Sequence, residues 1–275
     1  MEIKKTYFAV FGNPIDHSQS PKIHSLFSQY TKIIHHYSAI HVPLGKITNV
    51  LDFFFSHDGK GGNITLPFKE EVFNFCNLLT ESAEISGAVN TLKKLKNGRV
   101  LGDNTDGIGI QKDLERLKFI KKKYNILLIG AGGAARGIIF TLLSSDCFVF
   151  ITNRNMKKAE TIEKDFKKFG KIVAIDFNDL SKIKFNLIIN ATSSGIDGLS
   201  PILPDEIISP DTYCYDISYQ SLVTPFLSWC KKLGAVYISN GIGMLVGQAA
   251  YSFFLWHGVL PNIIPIINIL TVKDK

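Results

Sequence analysis

Cysteine is scarce in these 275 residues, four in all, and no two form a C-x-x-C pair, so neither a thiolate metal site nor a dithiol redox motif is written into the chain. Three of the four lie inside apolar runs, as inert buried thiols do, and we expect no disulfide and no metal. No apolar run approaches the ~18 residues of a membrane span. The segment Met1-Glu-Ile-Lys-Lys-Thr-Tyr-Phe-Ala-Val-Phe-Gly12 has too short an apolar core for a signal peptide, so a cytoplasmic location and no membrane partner are expected. No linker rich in Pro or Ser and no internal repeat occurs. Arginine is as rare as cysteine: Arg99, Arg116, Arg136 and Arg154. The net charge of +7 therefore rests on dispersed lysines that no cluster interleaves with aromatics, which argues against nucleic acid as a partner. Lys121-Lys-Lys123 reads as a solvated loop. A positive field of this kind still attracts an anionic substrate or cofactor.

What is present is apolar residue in quantity, 45% of the chain with 11% aromatics, enough for a packed protein of two modest domains or one large one. Strand-like and helix-like segments alternate through the first third: Tyr7 to Phe11, Pro21 to Tyr30, His36 to Val42, Ile47 to Phe55, Gly62 to Leu66 and Lys69 to Leu79. That alternation implies βαβ units and a mostly parallel sheet. Ala88 to Lys94 and Arg99 to Gly102 flank an Asn-Gly dipeptide, the mark of a hairpin. A helix from Gly107 to Leu117 leads to a second series, with strands at Lys171 to Ile175, Phe185 to Ala191, Tyr213 to Ile217 and Ala235 to Ser239. Helices follow Met156 and Thr224, and Met244 to Trp256 reads as a buried helix stopped by Gly258. The expectation is an α/β chain of two lobes meeting at a cleft, with crossings near Asp103 to Gly107 and Asn240 to Gly243.

Ile126-Leu-Leu-Ile-Gly-Ala-Gly-Gly-Ala-Ala135 is an apolar strand, a tight turn and the start of a helix, with Gly130, Gly132 and Ala135 in G-x-G-x-x-A spacing. Glycine is needed because a Cβ would keep the backbone from a pyrophosphate, whose charge then rests on the amides of the helix N-terminus. At the end of the next strand, Cys147 to Arg154, an NAD site usually carries Asp or Glu for the ribose 2′-hydroxyl. Here the position holds Asn153 and Arg154, with Lys157 and Lys158 behind. A cation there suits a 2′-phosphate, so the cofactor reads as NADP.

Four further segments hold candidate chemistry. Lys69 falls where a strand has ended and a helix is expected to begin, a poor place for a cation, and the helix dipole would ease its proton exchange; a surface lysine is the equal alternative. Gly102-Asp-Asn-Thr-Asp-Gly107 gathers short polar side chains before a helix. Asp106 or Thr105 could be an N-cap only, or Asp106 a carboxylate partner for Lys69. In Ser18-Gln-Ser-Pro21, Ser20 is expected at an N-cap with Pro21 first in the helix, and capping outweighs a carboxylate-binding role for the two hydroxyls. Gln248 sits on an otherwise apolar helix, where it is either a satisfied core amide or faces a cleft.

Together these residues resemble the shikimate dehydrogenase family. The matching segments are Phe11-Gly-Asn-Pro-Ile-Asp-His-Ser-Gln-Ser-Pro21, Gly62-Asn-Ile-Thr-Leu-Pro-Phe-Lys69, Gly87-Ala-Val-Asn-Thr91, Gly102 to Gly107, Gly130 to Arg136, Asn190-Ala-Thr-Ser193 onward to Gly195, Thr224-Pro-Phe226 and Gly241 to Gln248. The resemblance covers nearly the whole chain, and the Asn-Arg pair is similar to its NADP-specific biosynthetic branch. It implies reduction of 3-dehydroshikimate to shikimate with NADPH, on the route to chorismate and aromatic amino acids, by a monomer or homodimer. It implies a discontinuous substrate-binding domain, 1–105 plus 241–275, and a doubly wound, Rossmann-like NADP-binding domain, 106–240. By the same resemblance Ser18 and Ser20 would hold the substrate carboxylate, and Thr65, Asn90 and Gln248 the ring hydroxyls. Lys69 and Asp106 would form the catalytic pair, and Tyr219 a further substrate contact. Gly130, Ala131, Gly132, Gly133 and Ala134 would cradle the pyrophosphate. Asn153, Arg154, Asn155 and Lys158 would hold the adenosine phosphate, and Thr192, Ile217, Gly241 and Met244 the nicotinamide side. The chain departs from the family pattern at Asn155, where Thr is frequent, at Lys158 for a second Arg, at Asn240 for Asp, and after Tyr219, where a Pro is missing. Two rivals remain: the same fold acting on quinate or another cyclic polyol with NAD, and a non-catalytic nicotinamide sensor.

Overall fold

Strand β1 (Phe8–Gly12) is buried at all five positions, as a central strand covered on both faces must be, and the residues flanking it in space set the first sheet. The computed structural model describes residues 7–192, 194 and 198–272. Ser193 and Gly195, which belong to one of the family-like segments, lie outside the described residues. The chain divides into two compact units, 1–109 with 245–275, and 110–244.

In the first unit β1 is followed by α1 (Ser20–Thr31), β2 (Tyr37–His41), α2 (Ile47–Ser56) and β3 (Gly61–Ile64). Next come β4 (Leu78–Leu79), α3 (Glu81–Ser86), β5 (Thr91–Lys94) and β6 (Val100–Asp103). The sheet order is β2-β1-β3-β5-β6-β4. β1 runs parallel to β2 and β3, with Phe8 opposite Tyr37 and Gly61, while β5 is antiparallel to both β3 and β6. The β5–β6 hairpin closes through the Asn-Gly turn, where Gly98 has φ +82° and its amide donates to the Leu95 carbonyl. Phe11, Ile47, Leu51, Ile64 and Phe68 fill the core under this sheet.

The helix expected from Lys69 to Leu79 does not form. Those residues make turns and a 3-10 helix over Val72–Phe75 before β4. The Lys69 carbonyl accepts from the Val89 amide, a long-range bond that takes the acceptor an α-helix would need for residue 73.

The second unit begins within α4 (Asp106–Leu117) and continues through β7 (Asn125–Ile129), α5 (Gly133–Ser144), β8 (Phe148–Thr152), α6 (Met156–Phe166) and β9 (Ile172–Ala174). β10 (Leu187–Asn190), β11 (Tyr213–Asp216), α7 (Pro225–Lys232) and β12 (Tyr237–Asn240) follow. All six strands are parallel in the order β12-β11-β10-β7-β8-β9. Counted within the unit this is the doubly wound order 3-2-1-4-5-6, whose direction reverses between β7 and β10. The chain returns to the first unit within α8 (Ile242–His257), which ends at Gly258 with φ +73°, and finishes in α9 (Ile264–Thr271).

Candidate active site

In the first unit the polar residues collect at one end of the sheet. Parallel β1 and β3 point their carboxyl ends there, and antiparallel β5 starts there. Asn63, Thr91 and Asp103 therefore stand side by side across β3, β5 and β6. The loops leaving this edge carry Ser18 and Ser20, Thr65 and Lys69, Asn90, and Thr105 with Asp106.

Lys69 and Asp106 form the centre of the cluster. Nζ of Lys69 contacts Oδ2 of Asp106, and the two side chains are 16% and 4% exposed. The other carboxylate oxygen accepts from Nδ2 of Asn90 at 2.7 Å. Both oxygens are thus engaged away from the helix that Asp106 begins. The capping role falls to Asn104, whose Oδ1 accepts from the Asp106 amide at 3.1 Å. With no α-helix after Lys69, the dipole argument for that lysine has no source. What orients the ammonium is the carboxylate.

Asn90 organises the rest. Its Oδ1 accepts from the Thr105 amide at 2.9 Å and from the Thr91 hydroxyl at 2.8 Å. Its Nδ2 faces three acceptors, Asp106, Thr105 Oγ1 at 3.0 Å and Gln248 Oε1 at 3.4 Å, for two hydrogens, so the Gln248 contact is the weakest. Gln248 itself donates to the Leu245 carbonyl at 2.8 Å. One turn later on α8, Ser252 bonds Thr91 at 2.8 Å and accepts from Asn63 at 2.9 Å, which ties the helix to the sheet edge. Asn63, Thr91 and Ser252 are three members of this network that carry no candidate role in the sequence, while Thr105, read there as a possible cap, bonds Asn90 instead.

Ser18 and Ser20 differ from the expected arrangement. The N-cap of α1 is Gln19, Ser20 is the first helical residue and Pro21 the second; the Ser18 hydroxyl accepts from the Ser20 amide at 3.3 Å. Capping therefore consumes Ser18 Oγ only in part and Ser20 Oγ not at all, because Ser20 lies inside the helix and not at its N-cap. The hydroxyls of Ser20 and Thr65 have no protein partner among the described residues. Thr65 is drawn tight against β1 because Gly12 has no Cβ: one placed there would overlap the Thr65 methyl.

The second unit carries the other set. Gly130 ends β7 with φ +111°, and a Cβ on it would stand 2.9 Å from the Ala191 carbonyl oxygen. Gly132 is the N-cap of α5 and makes no side-chain cap, so the first amides of that helix have no side-chain acceptor from it. A Cβ on Gly132 would meet nothing within 4 Å, leaving an open cradle over those amides, with Ala131 before it and Gly133 and Ala134 in the first turn. At the end of β8, Arg154, Asn155 and Lys158 are exposed, and neither cation has a carboxylate partner among the described residues, whereas Arg136 pairs with Asp165 and Arg116 with Asp113. Asn153 donates to the Asn155 carbonyl at 3.0 Å, bending the chain at this tip. A glycine cradle at a helix N-terminus and two unpaired cations at the next strand end are the donor set that a dinucleotide with an extra phosphate requires.

Beside the cradle, Asn190 accepts from both the amide and hydroxyl of Thr192 and donates to Asp216 at 3.2 Å. Asp216 is fully buried and also accepts from Thr224 and the Ser218 amide; burial raises its carboxyl above the usual range. This carboxylate has no candidate role in the sequence, although a lone Asp within Tyr213-Cys-Tyr-Asp-Ile217 is a visible break in an apolar strand. It fixes the loop holding Ile217 and Tyr219. Burial likewise raises the Tyr219 phenol. Gly241 packs its α-carbon against the Ile217 carbonyl, where a Cβ would overlap it, and Met244 is buried. Asn240 accepts from the Ile242 amide at 3.2 Å and so caps α8.

Three family models match the chain: "Shikimate dehydrogenase substrate binding domain" over residues 10–92, "Shikimate / quinate 5-dehydrogenase" over 113–203, and "Shikimate 5'-dehydrogenase C-terminal domain" over 241–267. Among solved structures, an Ael1 enzyme from Pseudomonas putida is 35% identical with TM-score 0.88, over 98% of this chain and 100% of that one. A shikimate dehydrogenase solved in complex with NADP+ is 34% identical with TM-score 0.86, over 98% and 96%. Shikimate 5-dehydrogenase from Thermus thermophilus, solved with NADP(H) and shikimate, is 30% identical with TM-score 0.86, over 97% and 98%. Among the described residues no helix is long and apolar enough to cross a membrane.

Proposed function

The chain belongs to the shikimate dehydrogenase family of NADP-dependent oxidoreductases, and from that premise we propose that it catalyses the reversible reduction of 3-dehydroshikimate to shikimate in the cytoplasm, as a monomer or homodimer. The observation that carries the reading is the Lys69–Asp106 pair, a proton donor held on a nearly buried carboxylate at the edge where unpartnered hydroxyls collect. When bound, NADPH supplies the hydride that the ring ketone accepts. The protein's own task is the proton. As negative charge grows on the ketone oxygen, Nζ of Lys69 donates a hydrogen bond and then the proton, and Asp106 keeps the amine in line. In the reverse direction the neutral amine takes the proton from the hydroxyl.

The remaining roles follow from residue chemistry. Ser18 and Ser20 hold the substrate carboxylate, since hydroxyls and the start of α1 together offer neutral donors to an anion. Thr65, Asn90 and Gln248 bind ring hydroxyls, with Asn90 also supporting Asp106. Tyr219 is a further contact to the carboxylate or a hydroxyl. In the domain that binds the cofactor, residues 106–240, Gly130 to Ala134 cradle the pyrophosphate, and Asn153, Arg154, Asn155 and Lys158 hold the 2′-phosphate. Thr192, Ile217, Gly241 and Met244 border the nicotinamide. The substrate domain comprises 1–105 and 241–275.

The test is absorbance at the reduced-nicotinamide band with purified protein and shikimate, run with NADP and with NAD, and again with quinate. Rapid reduction of NADP with shikimate alone is expected. Comparable rates with NAD or quinate would move the chain to the broader-specificity reading, and no turnover with any pair would leave a nicotinamide-binding protein without this activity.

A further inference from the structure

The amino ends of β1, β2 and β3 surround a second polar hollow, at the opposite end of the sheet from Lys69 and Asp106. Its volume is about 530 Å³, and its walls include His36, Lys60, Lys93, Lys94, Trp256 and His257. His36 immediately precedes β2, Lys60 immediately precedes β3, and Lys93 and Lys94 end the antiparallel β5, so the topology delivers all four to one edge. Strands of four to five residues put this edge roughly 15 Å from the one carrying the candidate catalytic pair.

Three lysines and two imidazoles converge here, and among the described residues no carboxylate lines the hollow. None of the three ammonium groups is in an ion pair among the described residues. Lys93 donates to the Leu255 carbonyl and Lys94 to the Phe55 carbonyl, each at 2.5 Å, and Lys60 stands 4.6 Å from the Tyr7 ring centroid. Lys69, Lys112 and Lys182, by contrast, each sit on a carboxylate. Lys93 and Lys94 thus keep two N–H groups apiece beyond their carbonyl bonds. Gathering like charges on a concave surface without a counter-ion focuses a positive potential into it.

The histidines add a neutral donor. Nε2 of His257 bonds Nδ1 of His35 at 3.0 Å, and Nε2 of His35 bonds Nδ1 of His24 at 3.1 Å. Burial is the main cause holding all three below their ordinary pKa, His35 down to about 3, so the rings are neutral near pH 7. Three neutral rings in series can be ordered in two ways. Nε2 of His24 is buried without a partner, and an orphaned acceptor is tolerated there better than an orphaned N–H. The order that leaves it as an acceptor runs outward, from His24 to His35 to His257, and places the last proton on Nδ1 of His257. Lys60 and Lys93 add to the burial that keeps this ring uncharged. Trp256 forms a fixed wall: its indole donates to the Leu92 carbonyl at 2.9 Å and lies against Gly61, where any Cβ would overlap it.

We propose that this hollow binds a small, multiply charged oxyanion, a phosphate or phosphate monoester, through Lys60, Lys93 and Lys94, with His257 as a neutral donor. Three convergent cations match two or more negative charges on one centre; a lone carboxylate would leave most of the field uncompensated. The inference does not depend on the reaction proposed above.

Trp256 makes the test direct, because the chain has only two tryptophans. In a Trp229→Phe background, Trp256 emission is titrated with inorganic phosphate and with inorganic pyrophosphate, at ionic strength held constant with sodium chloride. A saturable change is expected, with half-saturation raised about tenfold or more in Lys60→Gln/Lys93→Gln, equivalent to at least ~1.4 kcal/mol. Glutamine can keep the carbonyl bond of Lys93 while removing the charge. Turnover of shikimate should stay unchanged in that variant. A change linear in added salt, one that chloride reproduces, or one that the double variant leaves unmoved overturns the proposal. Should the double variant not fold, calorimetry on the unsubstituted chain saturated with NADP, which occupies the α5 cradle, decides: heat saturating near one pyrophosphate per chain supports the site, and no heat overturns it.

Discussion

Replacing Lys69 with alanine separates two consequences, one of the proposed proton transfer and one of the ion pair with Asp106. The chemical loss is that of a positioned proton donor, on the order of 10²- to 10⁴-fold in turnover, or roughly 3–5 kcal/mol of transition-state stabilisation. The structural loss comes from Asp106, which is 4% exposed and would be left with Asn90 at 2.7 Å as its one remaining side-chain donor. Removing one partner of a buried pair costs ~3–5 kcal/mol, and the 16% exposure of Lys69 lets water re-solvate the carboxylate and moves the figure to the low end. The assay pairs initial rates of NADP reduction by shikimate with urea unfolding and NADPH titration. Lys69→Ala should lose activity and some stability while keeping NADPH affinity within about twofold, less than ~0.5 kcal/mol. Adding Asp106→Asn, which removes the stranded charge, should restore part of the stability and none of the activity, because a pair that acts as a unit is not additive in its kinetics. Retention of more than about a tenth of the turnover by Lys69→Ala, a loss of under ~1.4 kcal/mol, would refute the assignment of the proton to Nζ.

Three further outcomes are expected. Arg154→Asp should weaken NADPH by about tenfold or more and NADH far less, since only the former carries the 2′-phosphate; equal losses would make Arg154 a structural residue. Gly132→Val should fold, because its φ of −97° is ordinary and a Cβ meets no atom within 4 Å, yet NADPH affinity should fall by about tenfold or more; an unchanged dissociation constant would show the cradle to be unused. Stability should fall in acid. The unfolded chain protonates His24, His35 and His257 near 6.5, whereas the folded chain holds them neutral, His35 down to about 3, so unfolding takes up protons below pH 6.5. Their contribution is complete above that pH and declines at about 1.4 kcal/mol per pH unit for each ring still neutral when folded. Urea unfolding across that range should show the slope, and His35→Phe should flatten it; a flat profile in the unsubstituted chain would mean the rings titrate normally.

The parallel strands of the second unit were readable because each is a short apolar run bounded by turns, and β7, β8, β10 and β11 are paired along most of their length. The helix expected from Lys69 to Leu79 was misread for a tertiary reason. Its residues have helical spacing, but Val89 captures the carbonyl of Lys69, and Val72 and Phe68 turn into the core instead of extending a face. α3 and α9 left weaker traces. The first is six residues long, and the second, Ile264–Thr271, is almost uniformly apolar with Pro265 in its first turn, so no polar face announces it. At Ser20 the motif was legible and the cap one residue off, since Pro21 fits either of the first two helical positions.

The two sets of candidate residues, one in each unit, are encoded differently. The phosphate recognition proposed at α5 is a property of backbone: the positive φ and close approach at Gly130 require glycine locally and Gly132 leaves the helix amides open, so the spacing itself carries the signal. The lysine has no such local signature. What distinguishes Lys69 from the other lysines of the chain is a carboxylate 37 positions away, itself held by an asparagine 16 positions before it, and these meet only because β3, β5 and β6 bring their loops to one edge. The same holds at the other end of the sheet, where His24, His35 and His257 join across as many as 222 positions and leave one ring N–H, that of His257, beyond their mutual bonds, near lysines without a carboxylate partner among the described residues. Backbone-made sites can therefore be read from spacing, while side-chain-made sites need the topology first; only then does an isolated lysine, asparagine or histidine acquire the neighbour that gives it a function.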